Sequence, residues 1–282
     1  MGIKKLLKKQ PFKNKSAIIT GGSKGIGKET AKLIARLGGS VCIIARKLDA
    51  LNETAEEIKQ FIQDKDQFVD VISVDLTDLE KLRPLLIQYI EKHGVPDYLI
   101  NNVGFAYPQY VEKLTINDYH DAMNVNFFGQ LHPTMILLPY FMEAKKGHVC
   151  NVSSFLGLMG LMGYAAYTPS KFAIAGWSEV LRNELKPHGI NISVLFPVDT
   201  QTPGFDKENE MKPEECAIMS ESGGINTAEE VAETWVKGIL KNKFQVIPGK
   251  GSMISKIKRL FPWLVYSSID GDYKKAREKL GK

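Results

Sequence analysis

Between Lys15 and Gly39 the chain reads KSAIITGGSKGIGKETAKLIARLGG, and this stretch limits the fold more than any other. An apolar, β-rich run at Ala17 to Thr20 breaks into glycines and then into a helical pattern with Ala31, Leu33, Ile34, Ala35 and Leu37 apolar. Strand, glycine-rich turn and helix in this order open a doubly wound α/β sheet. Gly21, Gly25 and Gly27 follow the spacing T-G-x-x-x-G-x-G, in which missing side chains let backbone amides at a helix N-terminus approach a pyrophosphate. A purely structural turn is the plain alternative, and the flanking strand and helix weigh against it.

The rest of the chain repeats the alternation. A second strand, SVCIIAR, ends at Arg46, where such folds place the group that meets the adenosine ribose. An acidic residue there takes a 2′-hydroxyl, whereas an arginine pairs with a 2′-phosphate. With Ser23 and Lys24 adding a hydroxyl and a second cation in the glycine loop, NADPH is expected over NADH. Helical spacing over Leu51 to Ile62 precedes a third strand ending at Asp75, which can meet an adenine amino group or cap the next helix, Leu79 to His93. DYLINNVG closes a fourth strand with Asn101, Asn102 and Gly104. One long helical region, Ile116 to Glu143, carries Asn124 and Asn126 among apolar residues, which requires paired amides. The strand GHVCNVSS, a helix from near Tyr167, the strand INISVLFP ended by Pro197, a capped helix Thr227 to Leu240 and the strand FQVIPG complete the series. This predicts an α/β, Rossmann-type doubly wound parallel sheet in a single domain over residues 15–250. Its ligands would lie beyond the carboxyl ends of the strands, where the glycine loop, Arg46, Asp75, Asn102, Ser154 and Pro197 all fall.

Within CNVSSFLGLMGLMGYAAYTPSK, residues 150–171, a hydroxyl, a phenol and an ammonium stand at Ser154, Tyr167 and Lys171. Tyrosine and lysine four residues apart share one helix face, where the lysine charge can stabilise a phenolate and make a phenol usable as acid and base. A solvent-facing pair is the bland alternative. The apolar residues Phe155, Leu156, Leu158, Met159, Leu161 and Met162 between them suit an alkyl chain, and equally suit ordinary core packing.

Composition removes other classes. The 282 residues are 44% hydrophobic, ample for a core, and the three cysteines lack the spacing of a disulfide framework or a zinc site, so no metal is expected. The net charge of +5 gathers at the ends, at Lys4, Lys5, Lys8, Lys9, Lys13 and Lys15 and again from Lys250 onward. That favours an anionic surface over nucleic acid, for which no motif is present. No transmembrane run or signal peptide is expected, and the chain reads as cytoplasmic, with peripheral contact at the cytosolic face of a membrane open to it. Residues 1–14 form a basic extension, either a frayed terminus or an amphipathic turn on a bilayer. Residues 199–226 are polar, lack periodicity and are expected as an irregular substrate lid. The basic and aromatic tail, 251–282, would wet a bilayer or pack on a second subunit, and a homo-oligomer is expected.

TGGSKGIG, NNVG, NVNFFG and VSS followed by YTPSK resemble the motif set of the short-chain dehydrogenases and reductases over residues 14 to 205. The resemblance implies Tyr167 as proton donor to a substrate carbonyl, Lys171 lowering the Tyr167 pKa and holding the nicotinamide ribose, Ser154 polarising the carbonyl and Asn126 positioning a relay water. It implies cofactor contacts at Gly21, Ser23, Lys24, Gly25, Ile26, Gly27, Arg46, Asp75, Leu76, Asn102, Gly104, Tyr167, Lys171, Pro197, Thr200 and Thr202. Val103 in NNVG and Val198 after Pro197 depart from the residues more usual in that family. A narrower resemblance over residues 164 to 216, through YTPSK, DTQTPGF and KPEE, is to the 3-ketodihydrosphingosine reductases, which implies a long-chain keto lipid as substrate. Reduction of a 3-oxoacyl thioester, oxidoreduction of a steroid or retinoid, and an idle NADPH-binding scaffold are the alternatives.

Overall fold

The computed structural model describes residues 2–220 and 224–282, so residues 221–223 of the expected lid lie outside the described residues. The strands are β1 (Ser16–Thr20), β2 (Ser40–Ala45), β3 (Val69–Ser73), β4 (Tyr98–Asn101), β5 (Gly147–Val152), β6 (Ile190–Leu195), β7 (Thr200–Gln201), β8 (Asn226–Thr227) and β9 (Gln245–Val246). The helices are α1 (Ile3–Lys9), α2 (Gly25–Arg36), α3 (Leu48–Lys59), α4 (Leu79–His93), α5 (Ile116–Met123), α6 (Gly129–Ala144), α7 (Tyr167–Leu185), α8 (Pro203–Met211), α9 (Glu214–Ser220), α10 (Ala228–Ile239), α11 (Gly251–Leu260) and α12 (Pro262–Lys279).

Seven strands form one parallel sheet in the order β3-β2-β1-β4-β5-β6-β9, and β7 and β8 pair separately. Strand alternation sends Ala17 and Ile19 to one face and Ile18 to the other, and both faces are buried. On the first face Ile34 of α2, Leu51 of α3 and Trp235 of α10 complete the core; on the second, Leu86 of α4, Phe141 of α6 and Leu181 of α7 do so. The chain reverses its lateral direction between β1 and β4, which opens a crevice beyond their carboxyl ends. There the Asn102 backbone N–H donates to the Thr20 hydroxyl at 2.9 Å, joining the two strand ends.

Three expectations change. The N-terminal extension is neither frayed nor free: α1 buries Leu6 to 2% exposure, and Phe12 behind it is fully buried against the same core as Ile34. The long helix from Ile116 is broken by a π-helical turn, Asn124–Phe128, between α5 and α6. Its wider turn lets the fully buried Asn126 reach sideways to neighbouring segments. The expected irregular lid contains two short helices, because the Thr202 hydroxyl caps α8 by accepting from the Phe205 N–H at 3.1 Å and Pro203 fits the first helical position. Pro213 separates α8 from α9, and their few buried residues, such as Phe205 and Cys216, are too sparse to show a period. Boundaries also shift: α3 runs Leu48–Lys59, and β3 ends at Ser73, two residues before Asp75.

Candidate active site

A cavity of about 1580 Å³ lies at the carboxyl ends of the strands. Gly21, Ser23, Lys24, Gly25, Ile26, Arg46, Asp75, Leu76, Asn102, Gly104, Ser154, Tyr167, Lys171, Pro197, Thr200 and Thr202 all line it. Gly27 and Asn126 do not reach its wall and act from behind it.

The glycine loop is shaped by close approach. Gly25 has φ +55°, and a Cβ there would stand 2.9 Å from Thr202 Cγ2, which places the start of α8 over the loop. A Cβ on Gly27 would stand 2.5 Å from both the Gly21 carbonyl oxygen and Asn102 Nδ2, the latter donating to that oxygen at 3.2 Å. The first turn of α2 has no side-chain cap and no acidic residue, so its leading amides are open to an anion. Arg46 is largely exposed beyond β2, with Nη1 3.8 Å from Asp75 Oδ2. Burial pushes the Asp75 carboxyl up, but the Thr77 N–H and hydroxyl and the Arg46 charge together hold it below the usual range. A backbone cradle, an uncapped helix start and a guanidinium along the cavity wall fit a dinucleotide.

Lys171 is buried, and its Nζ donates to the Val152 carbonyl at 3.2 Å and lies 5.6 Å from the centre of the Tyr167 ring. Gly104 makes room for it, since a Cβ there would stand 3.0 Å from Lys171 Nζ and 3.1 Å from Asn126 Oδ1. Asn126 Oδ1 accepts from the Phe105 N–H at 2.8 Å, while Nδ2 donates to the Phe105 carbonyl and to Ser170 Oγ. Ser170 in turn donates to the Tyr167 carbonyl at 2.6 Å, so Asn126 ties the loop after β4 to the first turn of α7. Ser153 and Ser154 both line the cavity; the Ser154 Oγ accepts from the Leu156 N–H, whereas the Ser153 hydroxyl is engaged in donating to the Lys171 carbonyl at 2.8 Å.

The expected lowering of the Tyr167 pKa by Lys171 is absent. Burial pushes the phenol up, Ser154 pulls it partly back, and Glu208 and Asp199 push it further up. Burial also pushes the Lys171 amine down to about 7. Desolvation is the largest cause of both shifts because both groups sit among protein atoms. A stability prediction follows from the lysine. Between about 7 and its usual 10.5 the folded amine carries fewer protons than the unfolded one, so this group makes the protein more stable as pH rises through that window. The gain is on the order of 1 kcal/mol per pH unit, and it is lost as pH falls to about 7. Denaturant unfolding of Lys171→Met between pH 7 and 9 is expected to lack that slope; equal slopes in variant and parent would refute the assignment.

Of the apolar run between Ser154 and Tyr167, Phe155, Leu156, Met159 and Leu161 line the cavity, whereas Leu158 and Met162 do not. Sequence reasoning missed a further part of the wall: Ile254 and Ile257 of α11 and Leu264, Val265 and Ile269 of α12. It also missed Tyr164, Asp199 and Glu208. The amphipathic spacing of α11 was a usable signal for the first group; nothing local marked the second.

A family model described as short chain dehydrogenase matches residues 15–213. The chain belongs to the short-chain dehydrogenases. It is 36% identical over 245 residues to a 3-dehydrosphinganine reductase of Danio rerio, covering 86% of this chain and 74% of that one. To a 3-ketodihydrosphingosine reductase of Bos taurus it is 37% identical over 243 residues, covering 85% and 73%. Among solved structures, a short-chain dehydrogenase/reductase from Burkholderia phymatum in complex with NAD superposes with a TM-score of 0.78 at 21% identity, covering 90% of this chain and 95% of that one. The fold expected from the alternation of strands and helices is therefore the fold of this family.

Proposed function

We propose that this short-chain dehydrogenase is an NADPH-dependent reductase that turns 3-ketosphinganine into sphinganine. The observation that carries the reading is a single cavity whose walls include the dinucleotide cradle, Ser154, Tyr167 and Lys171, and apolar side chains from the segment after β5 and from α11 and α12. Its size exceeds the roughly 300–1,000 Å³ of a usual ligand pocket, which suits a dinucleotide together with a long alkyl chain. The names of the zebrafish and cattle relatives support the same substrate.

NADPH, when bound, supplies the hydride that the ketone carbon receives. The chain supplies the rest. Burial keeps the Tyr167 phenol protonated, as a proton donor in the reducing direction requires, and Ser154 hydrogen-bonds the same carbonyl oxygen. Lys171 lies near the phenolate left after transfer and counters its charge. Asn126, already bonded to Phe105 and Ser170, is assigned the positioning of a relay water beside Lys171. Arg46, with Ser23 and Lys24, takes the 2′-phosphate.

Among the described residues no helix is long and apolar enough to cross a membrane. The α11–α12 turn exposes Leu260, Phe261, Trp263 and Leu264 beside the basic Lys256 and Arg259, close to the cavity-lining Ile257. We assign this knob to the cytosolic face of a bilayer, from which the chain of the substrate enters.

The test is NADPH consumption with 3-ketosphinganine in anionic vesicles, an acetoacetyl thioester and a steroid ketone. The vesicle-borne lipid is expected to be reduced most efficiently, and equal rates on the soluble thioester would count against the reading. In the same assay Arg46→Ala is expected to raise the KM for NADPH by roughly ten- to hundredfold, as loss of charge-assisted hydrogen bonds does, with little change for NADH. Equal weakening toward both cofactors would remove Arg46 from its assigned role.

A further inference from the structure

Beside the catalytic phenol the cavity wall carries two carboxylates that the assigned catalytic and cofactor roles leave unused; one of them, Asp199, belongs to the DTQTPGF stretch. Asp199 lies in the segment between β6 and β7, Glu208 lies on α8, and both line the cavity. Glu208 accepts a hydrogen bond from the Tyr164 hydroxyl at 2.5 Å, and the Tyr164 ring centre is 5.9 Å from that of Tyr167. One aromatic ring thus links this carboxylate to the proton donor.

The charges here do not balance. Among the described residues, Lys212 is the cation within 4.0 Å of either carboxylate, with Nζ 3.7 Å from Glu208 and its side chain only 1% exposed. It makes no hydrogen bond, rests over the Phe205 ring and does not line the cavity. The other cavity cations stand elsewhere: Lys24, Arg46 and Lys47 at the dinucleotide cradle, Lys171 beside Tyr167, and Lys207 and Lys250 out in solvent. Two half-buried carboxylates and one buried ammonium leave one negative charge facing the substrate space. Burial pushes both carboxyls up, which Lys212 only partly offsets, as expected for an excess charge that lacks its partner.

We propose that Asp199 and Glu208 form an ammonium subsite that holds a primary amine next to the ketone being reduced. A cation arriving there neutralises the cluster. Held on one side by the carboxylates, a substrate with its amine on the carbon next to the carbonyl presents that carbonyl to Ser154 and Tyr167 in one orientation. The subsite thereby selects amino ketones over the thioester and steroid ketones that the same catalytic residues would otherwise accept. This inference rests on the proposed reductase activity and names the group of its substrate, the ammonium of the long-chain base, that Asp199 and Glu208 recognise.

Two measurements on the full chain separate the claims. The first is calorimetric binding, with NADP⁺ present, of a short soluble homologue of sphinganine and of the same alcohol without its amine. The parent protein is expected to bind the amine-bearing compound roughly ten- to hundredfold more tightly, the range for hydrogen bonds to a charged group, and Asp199→Asn and Glu208→Gln are each expected to shrink that ratio about tenfold or more. The second is the ratio of kcat/KM for the matching ketones with and without the amine, which should collapse toward one in the double variant, through KM more than kcat. Retained NADP⁺ affinity certifies that each near-isosteric variant is folded. Equal binding of the two alcohols by the parent, or an amine preference that survives the double variant, overturns the subsite. An amine preference in binding that the variants abolish, together with no turnover of either ketone, leaves the subsite standing and overturns the reductase reading instead.

Discussion

Tyr167→Phe is expected to lower kcat for ketone reduction by about a thousandfold, within the roughly 10²–10⁴ that a positioned general acid contributes. The substitution removes one oxygen and leaves the ring, so packing against Tyr164 and the cation–π contact with Lys171 persist. Ser154 keeps its bond from the Leu156 N–H and loses only its contact with the Tyr167 oxygen, at the cavity wall. NADPH affinity is therefore expected to stay within about tenfold, because the cradle at Gly21 to Gly27 lies at the other end of the cavity. Steady-state kinetics alongside fluorescence titration of NADPH separate the two terms. Substantial ketone reduction by the variant would end the assignment of Tyr167 as proton donor.

Gly27→Ala is expected to weaken NADPH binding by a hundredfold or more and to lower thermal stability, although alanine is ordinarily better in a helix than glycine by about 0.5–1 kcal/mol. The added methyl would lie 2.5 Å from the Gly21 carbonyl oxygen, a backbone atom that cannot step aside, and from Asn102 Nδ2, which bonds that same oxygen. Relieving the contact means moving the glycine loop away from the end of β4, and with it the amides that face a pyrophosphate. Gly176→Ala supplies the control: this glycine lies on the exposed face of α7 with nothing within 4 Å of a new Cβ, so the ordinary helix gain is expected there. If Gly27→Ala behaves like Gly176→Ala, the cradle reading falls.

Those two sites were legible for different reasons. Gly27 announces itself through a short-range pattern between a strand and a helix, and Tyr167 and Lys171 through a spacing of one helical turn. The segment 199–226 carries no legible period because α8 and α9 are short and rest on few buried residues. The N-terminal helix was ambiguous for a related reason: Ile3, Leu6 and Leu7 make one short apolar face among lysines, which suits a bilayer as well as a core, and Leu6 sits fully in the core. Asn126 was recognisable as a buried amide that needed partners, but that those partners are Phe105 and Ser170 depends on a π-turn that no propensity marks.

From sequence alone came the parallel α/β layering, the glycine cradle, an arginine at the end of β2 beside the cavity and the Ser154, Tyr167 and Lys171 constellation. All of these are written in contacts between residues near in the chain, or in a periodicity that a folded sheet must respect. The direction of the pKa shifts, the closing of the cavity by α11 and α12 and the unbalanced pair Asp199 and Glu208 emerged only in three dimensions. Desolvation depends on everything packed around a group, and the net charge of a cluster depends on which distant side chains share its space. Neither quantity is carried by any local stretch of sequence.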